Sequence, residues 1–237
     1  MDMSAFLNVL FSTENPVLPS ATALRIVLHL VWAIVLGSGT LLLAGKLVRP
    51  YRFGLAGLVL IWTALPGAVS PAHWLGLAFQ TPSLTSAGIC LGYFFSRARI
   101  GQDLVSTQPA VLAKPQMAGV NILAFAGVVL GWVLLLDTLA WLPLSVYAWG
   151  FGSAALAAIL LFSALPWVFV GMANASPGAI GWFVLLLPFF VLALFVLTRL
   201  PSGNLWDALI DPWLWLALQG WWLVHALRRC KAGRLSH

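Results

Sequence analysis

Two histidines are the best-placed side chains for ligand chemistry in this sequence. His29 lies near the start of one long apolar segment, and His73 comes just before the start of another. An imidazole can ligate haem iron or hydrogen-bond a quinone, so this pair predicts, as one alternative, a haem- or quinone-associated redox subunit. No further histidine, cysteine or acid stands at ligand spacing from the pair. We therefore expect no metal site, and no cofactor in the main interpretation.

A serine nucleophile is the second chemistry to consider. Ser38 lies between two glycines, and His225 is predicted to lie in the same half of a membrane. A nucleophilic serine needs a base within hydrogen-bond distance and donors for an oxyanion, and nothing in this pattern requires either. Glycines beside a serine are common where membrane helices pack closely. The sequence therefore predicts no catalytic residue, and an enzyme is the less favoured interpretation.

A proline within a polar group interrupts one membrane-length apolar segment. The segment, from Ser70 to Phe95, reads SPAHWLGLAFQTPSLTSAGICLGYFF. Pro82 has no backbone N–H and would leave the carbonyl of Ala78 without its helical partner. In lipid, a side chain, water, a neighbour or a ligand must satisfy that carbonyl. We expect repair by the nearby hydroxyls, in a spanning helix that is kinked at Pro82; those hydroxyls belong to Ser83, Thr85 and Ser86.

Uncharged polar residues complete the candidate site. Gln219 lies near the middle of the last apolar segment, where an unpaired amide is unfavourable, so it should bond another helix or line a solute path. Gln80 and Ser83 flank Pro82 and are the other uncharged candidates. The predicted ligand-binding residues are therefore His29, His73, Gln80, Ser83 and Gln219.

The composition indicates the solvent in which these residues lie. The chain has 237 residues, of which 62% are hydrophobic and 8% charged, against about 25% charged in an ordinary soluble domain. A surface with so few charges is suited to lipid, and the fold class that follows is an all-α polytopic membrane protein. About 20 apolar residues cross a bilayer. Seven transmembrane helices with short loops are predicted, at about 22–44, 53–70, 75–95, 117–137, 149–171, 179–199 and 212–228.

Lysine and arginine predict the orientation of these helices, because they are enriched in cytoplasmic loops. Three charges follow the first helix (Lys46, Arg49, Arg52), three follow the third (Arg97, Arg99, Lys114), and four close the chain (Arg228, Arg229, Lys231, Arg234). All of these lie inside if the N-terminus is outside and the C-terminus cytoplasmic. The acids, apart from Asp103, then lie outside, where we expect Arg199 to form a surface ion pair with Asp207 or Asp211. The expected location is a bacterial inner membrane.

The charge pattern also predicts partners. The net charge of +6 is divided among short clusters beside apolar segments, which does not suit nucleic acid but does suit anionic lipid headgroups. Residues 1–21 are expected outside, with a short interfacial helix near 4–11, residues 22–228 form the membrane domain, and residues 229–237 form a basic cytoplasmic tail. Small residues spaced four apart, such as Gly88 and Gly92, predict close helix packing within one molecule.

Three functions are compatible with this sequence. Low intramembrane polarity and short loops favour an accessory, assembly or structural subunit of a membrane complex, with protein partners in the membrane. Kinked helices, and a weak echo between TALPGAVSP (63–71) and SALPWVFVGMANASP (163–177), favour a small permease or lipid-handling transporter, because inverted repeats are common in transporters. His29 and His73 favour the redox subunit.

Overall fold

A computed structural model describes residues 18–99, 114–172 and 179–234, and every regular element in these ranges is helical. The helices are α1 (Ala21–Leu43), which continues as a 3-10 turn (Ala44–Lys46), α2 (Arg49–Ala64), α3 (Pro71–Phe79), α4 (Leu84–Arg99), α5 (Lys114–Thr138), α6 (Val146–Trp149), α7 (Ser153–Met172), α8 (Ala179–Thr198), α9 (Leu205–Leu209) and α10 (Pro212–Arg234). The all-α prediction is confirmed for this part of the chain.

Within the described ranges, three helical stretches are long and apolar enough to cross a membrane, namely Ala21–Lys46, Val120–Thr138 and Gly181–Thr198. Each of the seven predicted segments overlaps a helix; the third overlaps both α3 and α4, and the fifth overlaps α7 and the last residue of α6. The predicted interfacial helix near residue 4 lies outside the described residues. Helix α10 runs to Arg234, so residues 229–234 of the predicted tail continue the last helix.

Side-chain caps and prolines determine where several helices begin. The hydroxyl of Ser20 accepts a hydrogen bond from the backbone N–H of Ala23 at the start of α1 (3.2 Å). Ser70 does the same for α3, accepting from Ala72 at 3.1 Å while it donates to the carbonyl of Thr63 at 2.6 Å. These bonds satisfy donors that the first turn of a helix leaves unpaired, and Pro71, which has no donor, occupies that turn without cost.

The two ends of the helix bundle differ in charge. At one end the guanidinium of Arg49 donates to the carbonyl of Ala98 (2.8 Å), which joins the start of α2 to the end of α4. We call this the basic end. At the other end the N–H of Leu205 donates to the carbonyl of Gly150 at 2.9 Å, which joins two connecting loops. We call this the cavity end, for the feature described below.

The densest core lies near the cavity end, where α8 and α9 pack against α4 and α7. Its buried residues are Leu84, Ala155, Leu187, Val191, Leu192, Phe195, Leu205, Trp206 and Ala208. Helix α9 is short but supplies the two most buried of these side chains, Leu205 and Ala208. The loop that carries α9 is thus part of the packed interior.

Glycines allow the helices to approach closely, as the sequence predicted. A methyl group at Gly88 would overlap Leu187, and one at Gly92 would overlap Phe183, both on α8. Gly131 of α5 makes room in the same way for the indole of Trp215 on α10. These small residues are used within one molecule.

The predicted kink at Pro82 is wrong, because the helix is interrupted there. Helix α3 ends at Phe79 and α4 begins at Leu84, with four non-helical residues between them. Gln80 has φ 62° and ψ −158°, a left-handed conformation that costs a residue with a Cβ about 1–3 kcal/mol. The chain therefore changes course at Gln80, and Pro82 follows the break.

The other prolines argue against an internal repeat. Pro66 lies in the turn after α2, whereas its counterpart in the echo, Pro166, lies inside the continuous helix α7. Pro188 is likewise inside the continuous helix α8. Since the matching residues lie in different structures, the similarity between the two sequence segments gives no support to an inverted repeat.

Alanine substitutions at two glycines should change the free energy of unfolding in opposite directions, because only one of the two glycines lies in the contact between the loops of the cavity end. Gly150 adjoins the side chain of Asn204. That amide donates to the carbonyl of Tyr147 (2.9 Å), and its oxygen accepts from the N–H of Trp206, so the Asn204 side chain cannot move away from an added methyl group. We expect Gly150→Ala to lower the free energy of unfolding by about 1–3 kcal/mol. Gly39, inside α1, has open space around it, and Gly39→Ala should raise the free energy by up to about 1 kcal/mol.

Unfolding of the two variants in mild detergent, followed by circular dichroism, measures both effects. Equal changes at Gly150 and Gly39 would show that the loop contact does not constrain the fold.

Candidate ligand site

Neighbouring elements satisfy the backbone groups of the interrupted segment. The indole Nε1–H of Trp32, on α1, donates to the carbonyl of Gln80 at 2.8 Å. The N–H of Gln80 closes the last turn of α3 on Gly76 at 3.0 Å. The expected repair of the Ala78 carbonyl by local hydroxyls stays a prediction, since these bonds concern Gln80. The hydroxyl of Ser83 caps α4 by accepting from the N–H of Ser86 (3.1 Å).

The carboxylate of Asp211 lies at the centre of this region and is 8% exposed. Its Oδ2 accepts three hydrogen bonds from the start of α4: from the N–H of Ser83 (2.8 Å), the hydroxyl of Ser83 (2.7 Å) and the hydroxyl of Ser86 (2.5 Å). Its Oδ1 accepts two from the start of α10, from the N–H groups of Trp213 and Leu214, each at 2.9 Å. One carboxylate thus caps two helices, and we call this set of five bonds the Asp211 bridge.

The electrostatics of the Asp211 bridge are favourable although no cation among the described residues takes part in it. A helix N-terminus carries about half a positive charge, so the N-termini of α4 and α10 together offset about one negative charge. The five donors replace the water that a carboxylate loses on burial, without which burial would be strongly unfavourable. Asp211 is therefore buried and satisfied, and the expected location of this acid in a surface ion pair is wrong.

Arg199 and Asp211 do not form the expected ion pair. The guanidinium of Arg199 lies over the ring of Phe195, 5.3 Å from its centroid, in a cation–π contact. The carboxylate of Asp211 instead turns toward Ser83 and Ser86, as described above.

A cavity of about 620 Å³ lies beside the Asp211 bridge, between the interrupted segment, α5 and the loop that carries α9. Its polar lining residues are Gln80, Thr81, Thr138, Tyr147, Ser202, Asp207 and Asp211, and its apolar lining residues include Phe79, Leu134, Ile210, Pro212 and Trp215. This size and this mixture of a few polar groups with apolar walls are typical of sites for small organic ligands.

A second carboxylate in the cavity has a less complete set of partners. Oδ2 of Asp207 accepts from the phenol of Tyr147 at 2.8 Å and from the hydroxyl of Ser202 at 2.5 Å. Tyr147 is itself positioned by Asp137, whose carboxylate accepts from its backbone N–H at 2.7 Å. Both hydroxyl donors to Asp207 are neutral groups.

The phenol of Tyr147 is held in its protonated form. Burial raises its pKa, and the hydrogen bond to Asp207 and the charge of that carboxylate raise the pKa further. Tyr147 therefore donates a hydrogen bond to Asp207 throughout the neutral range.

The structure brings together only some of the predicted site residues. Gln80 lines the cavity with an exposed side chain, and Ser83 is fully buried in the Asp211 bridge. Gln219 is half-buried on α10 and is not among the lining residues, so its role as an interhelical partner stays a prediction.

The two histidines have separate surroundings. Nδ1 of His29 lies 2.8 Å from the carbonyl of Arg25, and its Nε2 is buried without a partner among the described residues. The ring of His73 packs edge-on against Trp74 at 5.3 Å. Because neither ring lines the cavity, the redox alternative stays a prediction without support from this site.

Sequence reasoning missed the residues on which the site depends most, Asp211, Asp207 and Trp32. One signal was present for Asp211, since an acid followed by Pro212 at the start of an apolar segment is typical of a helix N-cap. Its second set of partners begins at Ser83, 128 residues earlier, and no local pattern shows that contact.

Comparisons of the chain with protein-family models, with curated proteins and with solved structures give no match.

The Asp211 bridge makes this carboxylate the side chain to which folding should be most sensitive. Asp211→Ala leaves five donors without their acceptor, so we expect a loss of about 3 kcal/mol or more in the free energy of unfolding. Asp137→Ala is the matched control, since this carboxylate is partly exposed, and it should cost about 1 kcal/mol or less.

A double-mutant cycle with Ser83→Ala isolates the contact between the two helices, and a coupling of about 1–3 kcal/mol is expected. Additive effects of Asp211→Ala and Ser83→Ala would contradict the bridge.

The raised pKa of Tyr147 predicts a late component in an alkaline titration. In the folded protein this phenol should ionise above the ordinary tyrosine value of about 10. Because the folded pKa is the higher one, its contribution to stability is fully present below about pH 10 and declines as the pH rises further. Absorbance at the tyrosinate band measures the first effect, and Tyr147→Phe should remove the late component. An unchanged titration curve in that variant would contradict the assignment.

Proposed function

We propose that this protein is a small permease or lipid-handling transporter of a bacterial inner membrane, which receives its ligand in the cavity from the outer side. The observation that carries the proposal is an interrupted membrane helix whose second half is capped, beside a cavity, by the carboxylate of Asp211. Transporters commonly build their sites from discontinuous helices, with helix ends directed at charged groups.

The proposal includes seven spans with the N-terminus outside and the C-terminus cytoplasmic. In this arrangement α3 and α4 together form the third span. The cations of the basic end include Lys46, Arg49, Arg52 and Arg97. Among the described residues, the cavity end carries three carboxylates and two arginines, which are Asp137, Asp207, Asp211, Arg25 and Arg199. Since Lys and Arg favour the cytoplasmic side, the cavity end is assigned to the outside.

Helix geometry supports a location of the Asp211 bridge within the bilayer. Ser83 precedes Arg97 by 14 residues, which corresponds to about 21 Å along α4 at 1.5 Å per residue. Trp32, which bonds the interrupted segment, comes about 16 Å after the start of α1 at Ala21 by the same measure. In hydrocarbon of about 30 Å, the bridge then lies in the outer half and not at the surface.

Transport would require the contact between α4 and α10 at the Asp211 bridge to open. The N-termini of α4 and α10 meet at Asp211, and their close packing on α8 and α5 continues toward the basic end through Gly88, Gly92 and Gly131. A path to the cytoplasm opens if α4 separates from α10 at the Asp211 bridge. The non-helical residues from Gln80 to Ser83 would allow α4 to move while α3 stays packed on α1, where Leu28 fills the space at Gly76.

An accessory or assembly subunit of a membrane complex is the second candidate. It is favoured by Gly54 and Gly57 on α2, which have nothing within 4 Å of an added methyl group, beside the exposed side chains of Leu58 and Ile61. Glycines on an open face allow another helix to approach closely. Copurification of a partner in constant ratio from native membranes would favour this candidate.

Accessibility from both sides of the membrane tests the permease. We would replace Cys90 and Cys230 and introduce a single cysteine at Thr138, which lines the cavity, or at Gly45, which lies exposed at the basic end. A membrane-impermeant thiol reagent should label Thr138→Cys in right-side-out vesicles. Because a permease alternates its access, the same cysteine should also react in inside-out vesicles, although more slowly.

The Gly45→Cys variant is the control and should react only in inside-out vesicles. Labelling of Thr138→Cys from the outer side alone would contradict transport, and labelling of Gly45→Cys from the outer side would contradict the orientation.

A further inference from the structure

The charges in the cavity are of one sign. Its lining contains two carboxylates, Asp207 and Asp211, and no lysine, arginine or histidine from the part of the chain that the structure describes. Carboxylates attract cations strongly when the surroundings have a low dielectric constant, as in a cavity with apolar walls. The same two carboxylates would repel an anionic ligand.

The two carboxylates differ in how far they are already neutralised. Asp211 accepts five hydrogen bonds and lies at two helix N-termini, which together offset its charge. Asp207 has two neutral hydroxyl partners, from Tyr147 and Ser202, and is only partly buried. Its negative charge is the one in this cavity that is left for a ligand.

Aromatic side chains surround the remaining space. Phe79, Tyr147 and Trp215 all line the cavity. The ring of Phe79 is fixed by edge-on contact with Trp213 at 5.0 Å, and Trp215 is fixed by Trp132 at 5.1 Å and by a bond from its Nε1 to the carbonyl of Val128 (3.2 Å). Rigid aromatic faces bind the apolar part of an organic ligand and stabilise a cation by its interaction with the ring.

We propose that the cavity binds an organic cation, with its ammonium group at Asp207 and its apolar part between Phe79 and Trp215. The inference rests on the proposed function, because it names the substrate class of the same site. A soluble amine and the ammonium of an aminolipid headgroup share this chemistry, and the test below distinguishes the two sources.

Three ligands with one benzyl group and different charge test the proposal. They are benzyltrimethylammonium, benzyl alcohol and phenylmethanesulfonate, and their binding to the protein in phosphatidylglycerol nanodiscs is measured by titration calorimetry, with empty nanodiscs as the blank. We expect the cation to bind at least about tenfold more tightly than the sulfonate, which corresponds to about 1.4 kcal/mol. Equal binding of the cation and the sulfonate would overturn the proposal, and this comparison needs no variant.

Variants assign the charge to Asp207. Asp207→Asn should weaken binding of the cation by about tenfold or more, because it removes the partner charge. Asp207→Glu keeps the charge and should bind the cation more tightly than Asp207→Asn does. Thr40→Val, which is not in the cavity lining, removes only a hydroxyl that bonds its own helix and should stay within about threefold of the wild type. Unchanged affinity in a folded Asp207→Asn protein would overturn the role of this residue.

Phosphatidylethanolamine added to the nanodiscs separates the two sources of the ammonium group. A lower apparent affinity for benzyltrimethylammonium would mean that a lipid headgroup occupies the site, and an unchanged affinity would mean a soluble amine. Loss of cation preference while Thr138→Cys still reacts from both sides would reject the ligand class and leave the permease intact. Cation binding with labelling from one side alone would reject transport and leave the ligand class intact.

Discussion

A buried carboxylate that caps two helices at once is the constraint on which the arrangement of this protein depends. Asp211 can be buried because five donors and two helix N-termini offset its charge, and those donors are available only if α4 and α10 begin at the same place. The break between α3 and α4 places the first residues of α4 next to the first residues of α10. A continuous third helix would have no free N–H at Ser83 to donate.

The other features of the cavity end follow from this contact. The break between the end of α3 and the start of α4 borders the cavity. The loop from Arg199 to Asp211 packs against the same cavity. Asn204 and Trp206 fix that loop to the carbonyls of Tyr147 and Val146. In this way the loop brings Asp207 to the cavity beside Tyr147, and the proposed ligand site depends on the same packing as the fold.

The sequence was sufficient for the all-helical class and insufficient for the break in the third segment and for the site, for physical reasons. Apolar length and charge depend on residues within one segment, so the helical class and the segment positions could be predicted locally. A proline between polar residues is compatible with both a kink and a break, and the outcome depended on distant partners, Trp32 and Asp211. An acid beside an apolar segment resembles a helix end at the surface, so the sequence alone predicts a surface location for Asp211.

The most direct test of this account is whether one carboxylate holds both helix starts. Hydrogen–deuterium exchange with mass spectrometry, in nanodiscs, reports on the backbone amides of residues 80–87 and 210–215 separately. Replacing Asp211 by Asn should lower protection in both segments together, while α2 is unchanged, because Ser83 and Trp213 donate to the same side chain. Loss of protection at 210–215 alone would show that Asp211 caps only its own helix, and would contradict the account.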